Sequence, residues 1–243
     1  MMCRQNKVMS KEIRINKRLA ELGLCSRREG DDLISRGQVL VNGKKAVMGE
    51  KVSERDKIEI KGKQIEKKYL AYYKGRGIIT HSPSENEVDI ATRLKKDYKL
   101  EDVYPIGRLD KDSEGLIILT NDGRITAPLL DPENNIAKTY EVEVDKPVSN
   151  FLLKHLQAGV NIEGYVTKPA LAEKKSDKHF LLTISEGKKH QIRRMCIALG
   201  FQVQTLKRLK IANIELGKLK PNQYRKLTGE ELGDLFAILN IKN

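Results

Sequence analysis

Gly107 to Gly123, reading GRLDKDSEGLIILTNDG, limits the fold of this chain more than any other stretch. It opens polar, with Arg108, Asp110, Lys111 and Asp112, and turns into Leu116-Ile117-Ile118-Leu119, the most apolar run in the middle of the chain. A short apolar run that begins at Gly115 and stops at the turn-forming Asn121-Asp122-Gly123 reads as a buried strand, although periodicity alone does not separate it from a buried helix. Asp110 then falls in a loop at the lip of that strand. The pattern predicts a carboxylate at the edge of the core with cations on either side.

What surrounds this stretch is long enough for one large or two modest domains, at 243 residues. Lys and Arg total 46 against 33 Asp and Glu, a net charge of +13, which favours an anionic partner and most simply a nucleic acid. Cys3, Cys25 and Cys196 show neither zinc spacing nor a disulfide framework, as expected for a reducing cytosol. No apolar run approaches a membrane span, and MMCRQNKVMSKE lacks the apolar centre of a signal peptide, so a cytoplasmic protein is expected.

The first 68 residues hold 18 basic and 10 acidic side chains, so +8 of the excess lies there. Residues 1–11 are polar and expected to be disordered. Ile15, Leu19 and Leu22 mark a first helix ended by Gly23. Ser26 with Glu29 three residues on is a capping-box pattern that starts a second, with Leu33 and Ile34 inward and Gly37 as its stop. Val39-Leu40-Val41 and Asn42-Gly43 predict a hairpin, followed by a short strand from Lys57 to Ile60. This unit resembles the S-four-type RNA-binding domain, named after a ribosomal protein, and the resemblance implies that Arg14, Lys17, Arg18, Arg27, Arg28, Lys44 and Lys45 are phosphate contacts, which position RNA without reading its sequence.

Further along, Tyr69 to Tyr73 has strand composition. Lys74-Gly75-Arg76-Gly77 is a basic glycine turn without phosphate-loop spacing, and Ile90 to Tyr98 reads as a helix with Ile90, Leu94 and Ala91 inward. Arg124 to Leu130 looks helical. Lys138 to Val144 alternates as a half-buried strand with Tyr140, Val142 and Val144 on one face. Phe151 to Leu156 reads as a helix, Gly159 to Lys168 as a hairpin and Phe180 to Ile184 as a strand. In EGKKHQIRRMCIALG, Ile192, Met195, Cys196 and Leu199 share one face of a helix that Gly200 ends. Lys188, Lys189 and His190 sit at its mouth, where free N–H groups and the dipole favour anions.

The organising stretch resembles the signature of pseudouridine synthases of the ribosomal RsuA/RluB/RluF type, in which a G-R-L-D segment carries the indispensable aspartate. The Q-I-R-R-M wording and the closing stretch Leu227 to Phe236 look most like the RluF branch. The turn at Lys74 lacks the family's proline, and Lys188-Lys189-His190 departs from the L-N-R wording common there.

The resemblance implies an α+β protein: a small α/β RNA-binding domain, then a catalytic domain with a mostly antiparallel mixed sheet flanked by helices. The domains would be 12–62 and 69–243, joined by a linker at 63–68. It implies isomerisation of a uridine in ribosomal RNA, chiefly of the large subunit, with a transfer RNA anticodon as a second candidate, and neither cofactor nor metal. Partners would be ribosomal RNA, a ribosome-assembly particle or transfer RNA, and a monomer is the default state.

By the same resemblance Asp110 is catalytic, either as a nucleophile at C1′ or as a base toward C2′, and Arg193 pairs with it. Tyr140 and Ile192 grip the base and Arg108 assists the flipped nucleotide; the basic helix mouth, rather than the resemblance, makes Lys188 and Lys189 candidate phosphate contacts. The competing reading is a non-catalytic ribosome-assembly factor, which needs the basic N-terminal unit but not Asp110, Tyr140 and Arg193 together. A methyltransferase would need a glycine-rich cofactor loop after a strand, and none has that context.

Overall fold

The computed structural model describes residues 12–61, 66–85 and 87–241. The expected disordered segment 1–11 and residues 63–65 of the expected linker lie outside them. The chain divides into two compact units, residues 1–67 with 121–124, and 68–120 with 125–243.

The first unit runs β1 (Ile13–Arg14), α1 (Ile15–Glu21), α2 (Arg27–Ser35), β2 (Val39–Val41), β3 (Lys44–Lys45), β4 (Lys51–Val52) and β5 (Ile58–Ile60). The Ser26 hydroxyl accepts from Glu29 N–H and the Glu29 carboxylate accepts from Ser26 N–H, so the capping box starts α2 as its residues predict. Asn42 and Gly43 both take positive φ, 50° and 82°, as a two-residue hairpin between β2 and β3 demands. Ile15, Leu19, Cys25, Ile34, Val39, Val41, Ala46 and Val52 form its small core. Leu22, expected on the buried face of α1, lies at the C-cap and is 41% exposed. The β1–β4 pair is not legible in the sequence because two residues of strand carry no periodicity.

The second unit continues with β6 (Tyr69–Lys74), α3 (Ile90–Tyr98), β7 (Tyr104–Ile106), β8 (Glu114–Thr120), α4 (Thr126–Leu130), β9 (Lys138–Val144) and α5 (Asn150–Ala158). Then come β10 (Asn161–Ile162), β11 (Tyr165–Val166), β12 (Leu171–Lys174), β13 (His179–Ile184), α6 (Gln191–Ala198), β14 (Val203–Ile211), β15 (Ile214–Glu215), β16 (Tyr224–Lys226) and α7 (Gly229–Ile238). Its main sheet has the strand order β12-β13-β9-β14-β8-β6-β16, with β15 on β14 and β7 on β8. Only the β14–β8 pair is parallel, so the mixed, mostly antiparallel sheet is as expected. Arg124, expected to start a helix, belongs to a 3₁₀ turn at Gly123–Ile125 that precedes α4. Ala91, expected to face inward on α3, is exposed.

The apolar run at β8 is continuous because the sheet is covered on both faces. Ile117 and Leu119 join one cluster with Ile90, Leu94, Leu152, Leu156, Met195 and Cys196. Leu116 and Ile118 join the other with Ile125, Leu129, Leu235 and Phe236. Full burial of each such side chain contributes roughly 1.5–3 kcal/mol. Gly115 is needed where β8 meets β14. Its φ is +110°, and a Cβ there would lie 2.3 Å from the Arg208 carbonyl oxygen. No helix among the described residues is long and apolar enough to cross a membrane.

Candidate active site

Between β7 and β8 the chain makes a loop that carries Asp110, and neighbouring side chains fix its backbone from two sides. Thr80 Oγ1 donates to the Leu109 carbonyl at 2.8 Å and accepts from Leu109 N–H at 3.1 Å. Lys74, fully buried at the end of β6, sends its ammonium to the carbonyls of Ser113 (2.7 Å), Gly75 (3.1 Å) and Lys111 (3.4 Å). Ser113 N–H closes the turn on the Asp110 carbonyl, and Gly77 N–H donates to the Lys111 carbonyl. Burial pushes the Lys74 pKa down to about 8, while the nearby carboxylates of Asp110, Glu114 and Asp112 oppose that drop.

Asp110 opens onto a cavity of about 650 Å³. Arg108, Tyr140, Lys188, Lys189 and Ile192, all expected at the site, line it as well. Tyr140 and Ile192 are buried, 7% and 4% exposed, and give the cavity an aromatic and an aliphatic wall. Arg108, Lys188 and Lys189 are exposed at its rim. Lys188 Nζ lies 4.6 Å from the centre of the Tyr165 ring. His190, expected at the mouth of the helix, is exposed and also lines the cavity, with Nε2 3.6 Å from Asp110 Oδ1. It adopts φ 53°, ψ 27° at the N-cap of α6, an uncommon backbone for a side-chain-bearing residue.

Arg193, expected to pair with Asp110, stands outside the cavity lining, and no ion pair joins the two. Its Nη1 donates to the Val203 carbonyl at 3.2 Å. The reason is helical geometry. Neighbouring residues on a helix point about 100° apart, so with Ile192 facing the cavity Arg193 turns toward the strand that follows. The guanidinium that does line the cavity belongs to Arg208 on β14, beside Lys138 on β9. Sequence reasoning missed both. For Arg208 a signal existed: it continues the alternation of Leu206, so an arginine falls on a buried position.

The mouth of α6 is built around a buried carboxylate, Glu186. Glu186 accepts from Tyr165 Oη at 2.5 Å, from Lys168 N–H at 3.0 Å and from Gln191 Nε2 at 2.6 Å. Gln191 Oε1 accepts from Lys188 N–H, which ties the basic loop to the helix. In the first unit Arg14, Lys17, Arg27, Arg28, Lys44 and Lys45 are exposed and Arg18 half-buried, and Lys17 and Arg18 each reach Glu21 at 3.7 Å. No group of three or more His, Cys, Asp or Glu able to hold a metal occurs among the described residues.

A cavity with a carboxylate at its lip and an aromatic wall can be set beside known proteins. Residues 68–198 match the family described as RNA pseudouridylate synthase, and residues 13–58 match the S4 domain. The dual-specificity RNA pseudouridine synthase RluF of Escherichia coli K12 is 39% identical over 236 residues, covering 93% of this chain and 79% of that protein. The ribosomal large subunit pseudouridine synthase B of Bacillus subtilis is 37% identical, covering 93% of this chain and 96% of that one. A crystal structure of a pseudouridylate synthase superposes with a TM-score of 0.68 at 31% identity, over 92% of this chain and 99% of its own.

Proposed function

From the premise that this chain belongs to the RNA pseudouridine synthases, of the RluF/RluB type with an S4 domain, we propose that it isomerises one uridine of large-subunit ribosomal RNA through Asp110. The observation that carries the residue assignment is the shared cavity. Asp110, Tyr140 and Ile192 line one cavity, with the exposed Arg108, Lys188 and Lys189 also on its lining.

In this reading the uridine leaves its stack and enters between Tyr140 and Ile192. The Asp110 carboxylate then attacks C1′ or removes the C2′ proton, and the N1–C1′ bond breaks. The detached base turns between the two walls until C5 faces the sugar. Arg108 occupies the space that the nucleotide vacates or holds its phosphate, and Lys188 and Lys189 neutralise flanking phosphates. Arg14, Lys17, Arg18, Arg27, Arg28, Lys44 and Lys45 of the S4 domain bind folded RNA away from the target. A transfer RNA anticodon is the second candidate substrate, since the RluF relative is named dual-specificity.

Release of tritium from RNA labelled at uridine C5 follows the reaction directly, because that hydrogen is lost as pseudouridine forms. The purified protein is expected to release it from ribosomal RNA lacking the modification, and Asp110→Asn to release none. Retained turnover by Asp110→Asn would sink the assignment of the aspartate.

A further inference from the structure

Arg208 is 4% exposed at the centre of the catalytic sheet. Its neighbour across β9 is Tyr140, and its neighbour across β8 is Gly115. Immediately after it the β9–β14 register shifts, between Arg208 and Lys210, an irregularity of the kind that re-aims side chains beside active sites. A buried guanidinium needs acceptors for five N–H groups. Nε donates to the Leu116 carbonyl at 2.7 Å and Nη1 to the Arg108 carbonyl at 3.4 Å. Nη2 is buried and has no partner among the described residues, and no carboxylate among them lies within ion-pair distance of Arg208. The side chain lines the same cavity as Asp110 and Tyr140. Lys138, on the same face of β9 as Tyr140, also lines it, and Arg208 adds to the burial that lowers the Lys138 pKa. Glu186 borders the cavity too, but its carboxylate is taken up by Tyr165, Lys168 and Gln191. The wall beside Tyr140 is therefore cationic and has no carboxylate paired to it.

Three anionic groups enter a uridine site: the carboxylate, the flanking phosphates and the base once detached. The Asp110 side chain is 41% exposed, with the His190 ring 3.6 Å away. The phosphates are hydrated, and exposed cations await them at the rim. That leaves the buried cationic wall beside Tyr140 for the base. On the reading of the site given above, we propose that Arg208 is a catalytic residue whose Nη2 donates to a carbonyl oxygen of the target uracil and stabilises the charge on the detached base.

The electron count sets the demand. When N1–C1′ breaks, the bonding pair stays with the base while the Asp110 carboxylate bonds C1′ or takes the C2′ proton. The uracil is then an anion with its charge spread over N1, O2 and O4. C5 next bonds C1′ with a pair from the base, the carboxylate or the C2′ proton is returned, and the C5 proton is exchanged for one at N1. A fixed donor in a water-poor pocket holds such charge more strongly than it holds the neutral ground state.

The test is single-turnover kinetics with the full chain on a ribosomal RNA fragment carrying the mapped target uridine, and on fragments with 2-thiouridine or 4-thiouridine in its place. Sulfur is the weaker acceptor, so one of the two substitutions slows the wild type. Arg208→Met, with folding checked by thermal melting, is expected to lose roughly 10²–10³ in rate with RNA affinity little changed. It is also expected to abolish the wild type's thio penalty at the oxygen that Nη2 reaches. Arg208→Lys supplies the same comparison if the methionine variant does not fold. A thio penalty equal in wild type and variant at both oxygens would overturn the proposal, because a merely structural arginine slows all three substrates alike. Asp110→Asn is run beside it. Its activity judges the reading of the site, while the thio comparison judges Arg208.

Discussion

At the scale of the residue, the place of Asp110 depends on two side chains that hold its neighbours. Thr80 grips Leu109 through both its donor and its acceptor. Thr80→Val keeps the shape but leaves a buried N–H and carbonyl unpaired, which costs about 1–3 kcal/mol for each unsatisfied group. The expected result is a lower melting temperature and a kcat loss larger than the change in KM. Lys74 adds a dependence on pH. Its folded pKa, about 8, lies below the unfolded value of 10.5, so between those values the unfolded chain binds more protons. Stability from this group therefore rises with pH across that window and is flat below it. Denaturant titrations from pH 7 to 10.5 should show that rise in the wild type and not in Lys74→Met; equal slopes would count against it. Cys25 and Cys196 are buried, with thiols pushed up to about 12, so neither should alkylate in the native protein when followed by mass spectrometry. The position of Asp110, in a loop at the lip of β8, is legible because a turn at the edge of an apolar run is a local pattern, while its expected role comes from the resemblance of the G-R-L-D words. Arg208 is legible only as a buried position in the alternation of β14; its place beside the cavity depends on which strands flank it, 68 and 93 residues back in the chain at Tyr140 and Gly115. Arg193 marks the limit of a motif, whose spacing does not say which side of the helix faces the pocket.

At the scale of the element, the seam between β8 and β14 brings the Asp110 loop and Arg208 together. Gly115→Ala puts a methyl group against the Arg208 backbone at a positive φ, so the strands must part. The expected loss is roughly 2–4 kcal/mol, read by denaturant unfolding, with activity lost in step; a variant of unchanged stability would show that the seam has slack. The capping box of α2 is a smaller and independent contribution. Ser26→Ala should cost about 1 kcal/mol. Helices with an apolar stripe and a cap, such as α2, α3 and α6, are legible because both signals are local. So are strands of alternating pattern such as β9. The pairs β1–β4 and β14–β8 are not, since two-residue strands carry no period and parallel partners lie far apart in sequence.

At the scale of the whole molecule, the charge of +13 and the S4 domain predict that RNA binding weakens steeply with salt. Replacing Arg27 and Arg28 by Glu should lower affinity for all RNA. The slope of log K against log salt should fall by roughly one for each phosphate no longer neutralised. An unchanged slope would remove these two arginines from the RNA-binding surface. Chemistry rather than binding is what a site-resolved pseudouridine map of total RNA reads. The comparison is between cells with the gene, cells without it, and deleted cells carrying Asp110→Asn. One or two sites in large-subunit ribosomal RNA are expected to vanish on deletion, to return with the wild type and not to return with Asp110→Asn. A map identical in all three, with the purified protein still bound to ribosomal RNA, would contradict that expectation and favour an assembly factor that binds RNA without modifying it.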